Sequence, residues 1–310
     1  FLDRSTLTGP LRPVGLPHEW QEYPLTRADE TIERLRDATV AITNKVAIDE
    51  SVLAQCPQLK LIAVAATGYN IVDVAACKAR GVTVCNVRDY ALTGVTEHVL
   101  MLSLALRRQL IAYRQRVLSG EWQQSTSFYL SEPPLHDLAG STLAIIGSGA
   151  LGKGLTRIAQ VLDMHVILAE RKSASAVRPG YVAFNEALAQ ADVVSLHCPL
   201  TPETRLLIGA NELAQMKPGA ILINTARGGI VDEGALLAAL KNGQIAGAGV
   251  DVLSEEPPRR GNPLLDAELP NLLVTPHVAW ASVETVHKLA EQLIGNVEAF
   301  LQGQPRNVIG

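Results

Sequence analysis

Residues 142–170 read TLAIIGSGALGKGLTRIAQVLDMHVILAE, and their pattern is the clearest structural signal in the chain. An apolar run, Thr142–Ile146, leads directly into a Gly-x-Gly-x-x-Gly sequence at 147–152, which opens an amphipathic stretch. A second apolar run, His165–Ala169, follows and ends on the acidic Glu170. A strand, a glycine-rich turn, a helix and a second strand within about 30 residues predict one parallel βαβ unit.

The same rhythm extends in both directions from this unit. Apolar runs recur roughly every 25 residues, which is the length of a strand, a helix and two turns. Further strands are predicted at Val40–Thr43, Leu59–Ala65, Val82–Cys85, Asp192–His197, Ala220–Asn224, Ala246–Val250 and Leu272–Val274. We therefore predict an α/β fold with two Rossmann-like, doubly wound parallel-sheet domains, of which the larger binds a dinucleotide.

Two long helices are predicted as well. Val95–Leu118 has the periodicity of a single helix, with Thr93 as its N-cap. The last helix is predicted at Val283–Leu301, with Ser282 as its N-cap.

The composition excludes several classes of partner. The chain has 310 residues, 47% of them hydrophobic, which suits two cores better than one. A net charge of −4 without a basic patch argues against nucleic acid or an anionic membrane as partner. No apolar run reaches the ~18 residues of a membrane helix. Because the chain opens with Phe1 rather than Met, we expect a few residues to precede it.

The four cysteines are scattered without a CxxC pair, at Cys56, Cys77, Cys85 and Cys198. This pattern predicts buried, reduced thiols in a cytoplasmic protein, with neither a disulfide framework nor a metal site.

The glycine-rich sequence matches a dinucleotide-binding fingerprint in its expected context. Gly147 would permit the tight turn, Gly149 would let a pyrophosphate approach the backbone, and Gly152 would let helix and strand pack closely. The pyrophosphate would then bind at the helix N-terminus. The alternative is a glycine-rich turn without a ligand, which this context disfavours.

The end of the second strand bears on the choice of cofactor. Glu170 would accept hydrogen bonds from an adenosine ribose and repel a 2′-phosphate, which favours NAD over NADP. Arg171 and Lys172 follow directly and could hold a 2′-phosphate if Glu170 turned away, so NADP stays open.

A group of charged residues follows the later strands. Arg227, Asp251, the pair Glu255-Glu256 and His277 all come just after predicted strands, where open parallel sheets bind ligands. A 2-keto acid requires a cation for its carboxylate, a proton donor for its carbonyl and a group that poises this donor. Each residue alone could be structural: a strand-end cap, a turn histidine or a solvated acidic turn.

The chain resembles the D-isomer-specific 2-hydroxyacid dehydrogenase family over nearly its whole length. The resemblance rests on the fingerprint and on ADVVSLHCPLTPETR (191–205), MKPGAILINTARGGIVDE (216–233), GAGVDVLSEEP (247–257) and TPHVAWAS (275–282). Within the family, ATGYNIVD (66–73) and HVAWAS (277–282) are most similar to the glycerate dehydrogenase, or hydroxypyruvate reductase, branch.

This resemblance implies roles for the catalytic residues. Arg227 would bind the substrate carboxylate and orient the carbonyl oxygen. His277 would be the general acid in reduction, and Glu256 would hydrogen-bond His277 and stabilise its imidazolium. The backbone amides of Thr67 and Gly68 would help to hold the carboxylate.

The resemblance also implies the cofactor contacts and the substrate. Beyond the glycines and Glu170 with Arg171, the residues expected to meet NAD are Thr67, Ala150, Leu151, Cys198, Thr225, Ala226 and Asp251, the last at the nicotinamide carboxamide. Trp280 would shape the pocket of a small 2-keto or 2-hydroxy acid, with hydroxypyruvate or glyoxylate expected.

The family's organisation implies a discontinuous catalytic domain, 1–92 with 281–310, and an NAD-binding Rossmann domain, 93–280, with the substrate in the cleft. The helix at Val95–Leu118 and the aromatic residues after it (Trp122, Phe128 and Tyr129) would form a homodimer interface, with ordinary packing of these aromatics within the chain as the alternative. Two alternatives stay open: a related dehydrogenase of phosphite, formate or 3-phosphoglycerate, and a non-catalytic, NAD-sensing protein similar to the corepressors that share this fold.

Overall fold

The structure is a computed structural model that describes residues 1–310. The chain forms two compact units. The smaller unit comprises Phe1–Ala91 and Trp280–Gly310, and the larger unit comprises Leu92–Ala279. Trp280, expected at the end of the larger domain, thus lies in the smaller unit.

The smaller unit is built on a three-stranded parallel sheet, in the order β1-β2-β3. Its strands are β1 (Val40–Thr43), β2 (Leu61–Val64) and β3 (Thr83–Cys85), and its first helices are α1 (Thr31–Leu35), α2 (Glu50–Leu53) and α3 (Val74–Ala79). Short 3₁₀ helices occur at Arg4–Thr6 and Ala28–Glu30. Every residue of β2 is buried, as expected for a central parallel strand covered on both faces.

The larger unit contains a six-stranded sheet in which every neighbouring pair is parallel. Its strands are β4 (Thr142–Ile146), β5 (His165–Ala169), β6 (Val193–Leu196), β7 (Ile221–Asn224), β8 (Gly247–Val250) and β9 (Leu272–Val274). Its helices are α4 (Leu92–Arg107), α5 (Leu110–Leu118), α6 (Glu121–Gln124), α7 (Ala150–Val161), α8 (Phe184–Gln190), α9 (Ala210–Leu213) and α10 (Glu233–Lys241). The predicted strands are confirmed, with small shifts at their ends.

The strand order in the larger sheet creates a crevice for a ligand. The order is β5-β4-β6-β7-β8-β9, and Val182 adds a single parallel bridge outside β5, at Ala169. The chain therefore places β5 on one side of β4 and then returns to place β6 on the other side. The crevice at the carboxyl ends of β4 and β6 is the switch point at which doubly wound sheets bind ligands.

The predicted single helix at Val95–Leu118 is wrong in one respect, because the structure divides it into α4 and α5. Gln109 between them has a left-handed backbone, with φ of 52°. The buried Arg107 donates from Nε and Nη2 to the carbonyl of Asp137, at 3.0 and 2.6 Å, which fixes the end of α4. Thr93 is not the N-cap, because α4 begins one residue before it.

The last helix, α11 (Val283–Leu301), is confirmed, together with its N-cap. The Ser282 hydroxyl accepts a hydrogen bond from the amide of Thr285 at 3.2 Å, which satisfies one of the free donors of the first turn. No helix in the chain combines the length and the apolar composition needed to span a bilayer.

Beside the glycine-rich turn, His197 follows β6 and is held in its neutral form. Its Nε2 lies 2.8 Å from the hydroxyl of the buried Ser195, and its buried Nδ1 has no partner. Burial lowers the pKa of His197 from 6.5 to about 4, because protonation would place a charge in the interior, away from water.

We expect His197 to make the protein acid-labile. Between pH 6.5 and 4 the unfolded chain binds a proton at this residue that the folded chain excludes, so stability falls as the pH falls. The loss should approach about 3 kcal/mol over this range. Urea unfolding of wild type and His197→Gln from pH 4.5 to 7 measures it. His165→Gln, on the exposed end of β5, is the control, and equal pH slopes in wild type and His197→Gln would contradict the prediction.

Candidate active site

The turn after β4 can be made only by glycine at its first position. Gly147 has φ of 102°, and a Cβ there would lie 2.6 Å from the backbone carbon of His197. Gly149, the N-cap of α7, has the opposite property, because a Cβ built on it meets no atom within 4 Å. The first turn of α7 is therefore open on the side from which a ligand would approach.

The N-terminus of α7 has the donors that a pyrophosphate requires. The amides of Ala150, Leu151 and Gly152 donate no hydrogen bond within the chain, and the N-cap Gly149 offers no side chain to satisfy them. These free donors and the helix dipole favour an anion at this position.

A second unsatisfied polar atom lies at the end of β7. The Thr225 hydroxyl is buried and has no hydrogen-bond partner, and the neighbouring Ala226 is also buried. Cys198, which follows β6, is half-buried, and burial raises the pKa of its thiol, so it contributes a small neutral surface. An open helix N-terminus and an unpaired buried hydroxyl fit a bound dinucleotide, because a ligand would satisfy both.

The acidic residue at the end of β5 already has partners within the chain. Glu170 is buried, at 3% exposure, and its carboxylate accepts hydrogen bonds from the amide of Arg171 and from the amide, Nε and Nη2 of Arg178. The Arg178 guanidinium holds the pKa of Glu170 down at about 2, with help from the amide of Arg171. No sequence signal identifies Arg178, because it lies in a loop outside the fingerprint.

The other two cations of this region are placed differently. Arg171 is exposed and forms no ion pair, whereas the Lys172 ammonium lies 2.8 Å from Glu212. Arg171 is therefore free to meet a ligand, and Lys172 is already neutralised.

The acid–histidine pair is formed within the larger unit. His277 Nδ1 lies 2.6 Å from Glu256 Oε2, and Glu256 Oε1 accepts from the amide of Leu253 at 2.8 Å. Glu255 pairs with Arg260 instead, at 2.7 Å. The carboxylate thus fixes the ring at Nδ1 and leaves Nε2 without a partner in the chain, in position to exchange a proton with a ligand.

The loop that carries His277 is held by a buried carboxylate. Asp251 is 1% exposed and accepts hydrogen bonds from the amides of Val278 and Ala279, at 2.9 Å each, and from the Thr275 hydroxyl. The amide of His277 donates to the carbonyl of Asp251 at 2.8 Å. Asp251 therefore organises this loop, a role that the sequence analysis did not identify, while its expected contact with a nicotinamide stays a prediction.

The backbone of His277 is strained, and a side chain of α4 contacts the loop of residues 275–279. His277 has φ of 55°, a conformation that costs a non-glycine residue of the order of 1–3 kcal/mol. From α4, His98 Nε2 lies 3.0 Å from the Thr275 hydroxyl, and burial lowers the pKa of His98 although Asp251 partly opposes it. The hydrogen bonds to Asp251 keep the strained conformation in place.

Arg227 is an uncommitted cation at the end of β7. Its Nη1 donates to the carbonyl of Ala226 at 2.7 Å, but the exposed guanidinium forms no ion pair. The buried Asn224 fixes the turn, because its amide nitrogen donates to the carbonyl of Arg227 and its oxygen accepts from the amide of Ala226. An arginine whose backbone is fixed and whose guanidinium has no acidic partner suits a carboxylate.

The remaining predicted residues belong to the smaller unit. The Thr67 hydroxyl donates to the carbonyl of Val87 at 2.9 Å, and Asn86 donates to the carbonyl of Thr67 at 2.7 Å. These bonds fix the loop that continues into Gly68. Trp280 packs edge-on against Tyr90, with 6.4 Å between ring centroids.

The family comparison matches the larger unit. Residues 100–279 match the model of the D-isomer-specific 2-hydroxyacid dehydrogenase NAD-binding domain. A glycerate dehydrogenase of Methylorubrum extorquens is 53% identical, over 100% of this chain and 98% of the relative. A hydroxypyruvate reductase of Blautia hydrogenotrophica is 37% identical, over 92% and 89%. A glyoxylate reductase of Thermococcus litoralis is 36% identical, over 94% and 89%.

Solved structures agree with the family comparison. An acyclic imino acid reductase in complex with NADPH and D-Arg superposes with a TM-score of 0.81 at 30% identity, over 93% of this chain and 91% of that one. An NAD-complexed D-isomer-specific 2-hydroxyacid dehydrogenase from Lactobacillus delbrueckii superposes with a TM-score of 0.77 at 26% identity, over 94% and 92%.

Gly228 lets the loop of Arg227 pack against the loop of Glu256. A Cβ on Gly228 would lie 1.7 Å from the carbonyl oxygen of Leu253, whereas a Cβ on Gly219 meets no atom within 4 Å. We expect Gly228→Ala to lose about 1–3 kcal/mol of unfolding free energy through overpacking, and Gly219→Ala to lose none. Urea unfolding measures both, and equal stability of the two variants would contradict this packing.

Proposed function

This chain belongs to the D-isomer-specific 2-hydroxyacid dehydrogenase family, and we propose that it uses NADH to reduce a small 2-keto acid, hydroxypyruvate or glyoxylate, to the 2-hydroxy acid. The observation that carries this proposal is the pairing of His277 with Glu256 on the sheet edge that also holds an uncommitted Arg227. The relatives named glycerate dehydrogenase, hydroxypyruvate reductase and glyoxylate reductase support the choice of substrates.

In the proposed mechanism, Arg227 binds the substrate carboxylate through its planar guanidinium and directs the carbonyl oxygen toward His277. Protonated His277 donates its Nε2 proton to this oxygen during reduction. In the reverse direction, neutral His277 accepts the proton of the hydroxyl group at the same nitrogen. Glu256 holds the ring through Nδ1 and stabilises the imidazolium form.

Bound NADH would supply the hydride that reduces the carbonyl carbon, and groups of this chain would bind and orient the cofactor. The amides of Ala150, Leu151 and Gly152 would receive the pyrophosphate. Thr225, Ala226 and Cys198 would line the groove, and Asp251 would lie near the nicotinamide. Thr67, Gly68 and Trp280 in the smaller unit keep the substrate roles that the family resemblance implies. We propose in the same way that the smaller unit is the catalytic domain and that the larger unit is the NAD-binding domain.

A substrate panel tests the proposal. NADH and NADPH are each offered with hydroxypyruvate, glyoxylate, pyruvate and larger 2-keto acids, and formate, phosphite and 3-phosphoglycerate are offered with NAD. We expect the highest kcat/KM with hydroxypyruvate or glyoxylate. Turnover of formate or phosphite but of no 2-keto acid would show that the chain is a dehydrogenase of that other anion. Binding of NADH without any turnover would favour a non-catalytic sensing protein.

Glu256→Gln tests the contribution of the Glu256 charge to catalysis by His277. The amide keeps the size of the side chain but removes the charge that stabilises the imidazolium. We therefore expect kcat for reduction to fall by about 10- to 100-fold, with little change in KM. Glu255→Gln is the matched control, because Glu255 pairs with Arg260 and should leave kcat unchanged. Equal kcat values for the two variants would remove Glu256 from the mechanism.

We further propose a homodimer in the cytoplasm. The cytoplasmic assignment is supported by four free cysteines, since disulfides are rare in a reducing compartment. The dimer is supported by apolar side chains exposed on and after α5 and α6 in the larger unit. They are Leu110, Leu118, Trp122, Phe128 and Tyr129.

Charge placed on this surface should dissociate the dimer. Phe128 is 87% exposed, so Phe128→Asp should leave the folded chain intact but convert a dimer into a monomer in light scattering. Val161→Asp on α7, at a residue 83% exposed, is the control and should stay dimeric. A wild-type monomer, or a Phe128→Asp variant that remains dimeric, would contradict this interface.

A further inference from the structure

The residue expected to read the adenosine ribose is covered by another side chain. All four hydrogen bonds to the Glu170 carboxylate come from Arg171 and Arg178, and a carboxylate has about four acceptor positions. Glu170 is buried, whereas the Arg178 side chain is half-exposed. The group presented to solvent at the end of β5 is therefore a guanidinium.

Arg178 is tied to the cofactor-binding turn by a short chain of contacts. Its guanidinium lies 3.9 Å from the centre of the Tyr181 ring, and the Tyr181 hydroxyl lies 2.6 Å from the hydroxyl of Ser148. Ser148 is the residue between the first two glycines of the fingerprint. These contacts hold Arg178 beside the position of the adenosine ribose in this fold.

The charges at this position do not oppose a phosphate. Glu170 and Arg178 neutralise each other, and Arg171 adds an exposed cation without an ion pair. A guanidinium has five N–H donors, and Arg178 uses two of them on Glu170, so other donors remain for a ligand. Arginine donors are well suited to a phosphate and can also donate to a ribose hydroxyl.

We propose that Arg178 is the residue that determines cofactor specificity, and that by covering Glu170 it lets this chain bind NADPH as well as NADH. The inference rests on the proposed function. With NADPH, Arg178 stays on Glu170 and offers its remaining donors to the 2′-phosphate. With NADH, the same donors meet the ribose hydroxyls. Under this proposal Glu170 does not exclude a 2′-phosphate, because its charge is neutralised by Arg178.

Binding of ADP-ribose and 2′-phospho-ADP-ribose, measured by titration calorimetry, tests this role without turnover. Because the Glu170–Arg178 pair has no net charge, wild type should bind the two ligands within about tenfold of each other. Arg178→Gln uncovers the Glu170 carboxylate. It should weaken binding of 2′-phospho-ADP-ribose by about 10- to 100-fold while leaving ADP-ribose binding unchanged or tighter.

Two further variants complete the test. Glu170→Gln removes the carboxylate beneath Arg178, so binding of 2′-phospho-ADP-ribose should become tighter relative to ADP-ribose. Lys172→Gln removes one cation from the same loop, but Glu212 already neutralises it, so the ratio of the two dissociation constants should stay at the wild-type value. Thermal unfolding of each variant verifies that the loop change leaves the fold intact.

The outcomes separate this inference from the proposed function. If Arg178→Gln weakens both ligands equally, or if Lys172→Gln changes the ratio as much as Arg178→Gln does, the specificity role of Arg178 is overturned while dinucleotide binding stands. If wild type binds ADP-ribose but excludes 2′-phospho-ADP-ribose, the inference fails and the proposed function stands. If wild type binds neither ligand, the proposed function fails and the inference falls with it.

Discussion

The buried carboxylate of Asp251 holds the loop on which His277 lies, and the geometry of the candidate site depends on this interaction. Two backbone amides and a hydroxyl of residues 275–279 donate to it, while its own backbone carbonyl receives the amide of His277. A buried carboxylate without such donors would be costly, so the loop and the carboxylate stabilise each other. This mutual dependence keeps His277 in a left-handed conformation that an isolated loop would leave.

The parallel sheet supplies the second constraint, because it brings distant segments to one edge. Arg227 follows β7, Asp251 follows β8 and His277 follows β9, so three consecutive strand ends carry the charged groups. The glycine-rich turn at the end of β4 lies on the same edge, two strands away from β7. Close packing of Gly228 against the backbone of Leu253 joins the arginine loop to the loop of Glu256.

The larger unit has an arginine without an acidic partner at one proposed binding position and a paired acid and arginine at another. Where a substrate carboxylate is proposed to bind, Arg227 has no acidic partner and can accept one. Where the adenosine ribose is proposed to bind, the acid is buried beneath an arginine, so its charge is not presented to the ligand. A free cation selects strongly for an anion, whereas a neutral pair discriminates weakly between a hydroxyl and a phosphate.

The sequence by itself determined the α/β fold and the strands, because apolar periodicity and a glycine-rich turn between a strand and a helix are local patterns. The family followed from the resemblance of longer motifs, such as those at 216–233 and 247–257. It also identified Arg227, Glu256 and His277 as candidates, since residues at the ends of parallel strands must lie on one edge. Only the tertiary structure decided the break at Gln109, where a residue with a left-handed backbone separates α4 from α5. The pairing of Arg178 with Glu170, the anchoring of the histidine loop by Asp251 and the enclosure of His197 were likewise decided there. These features depend on which side chains meet across loops, and residue types and spacings in the chain do not specify such contacts.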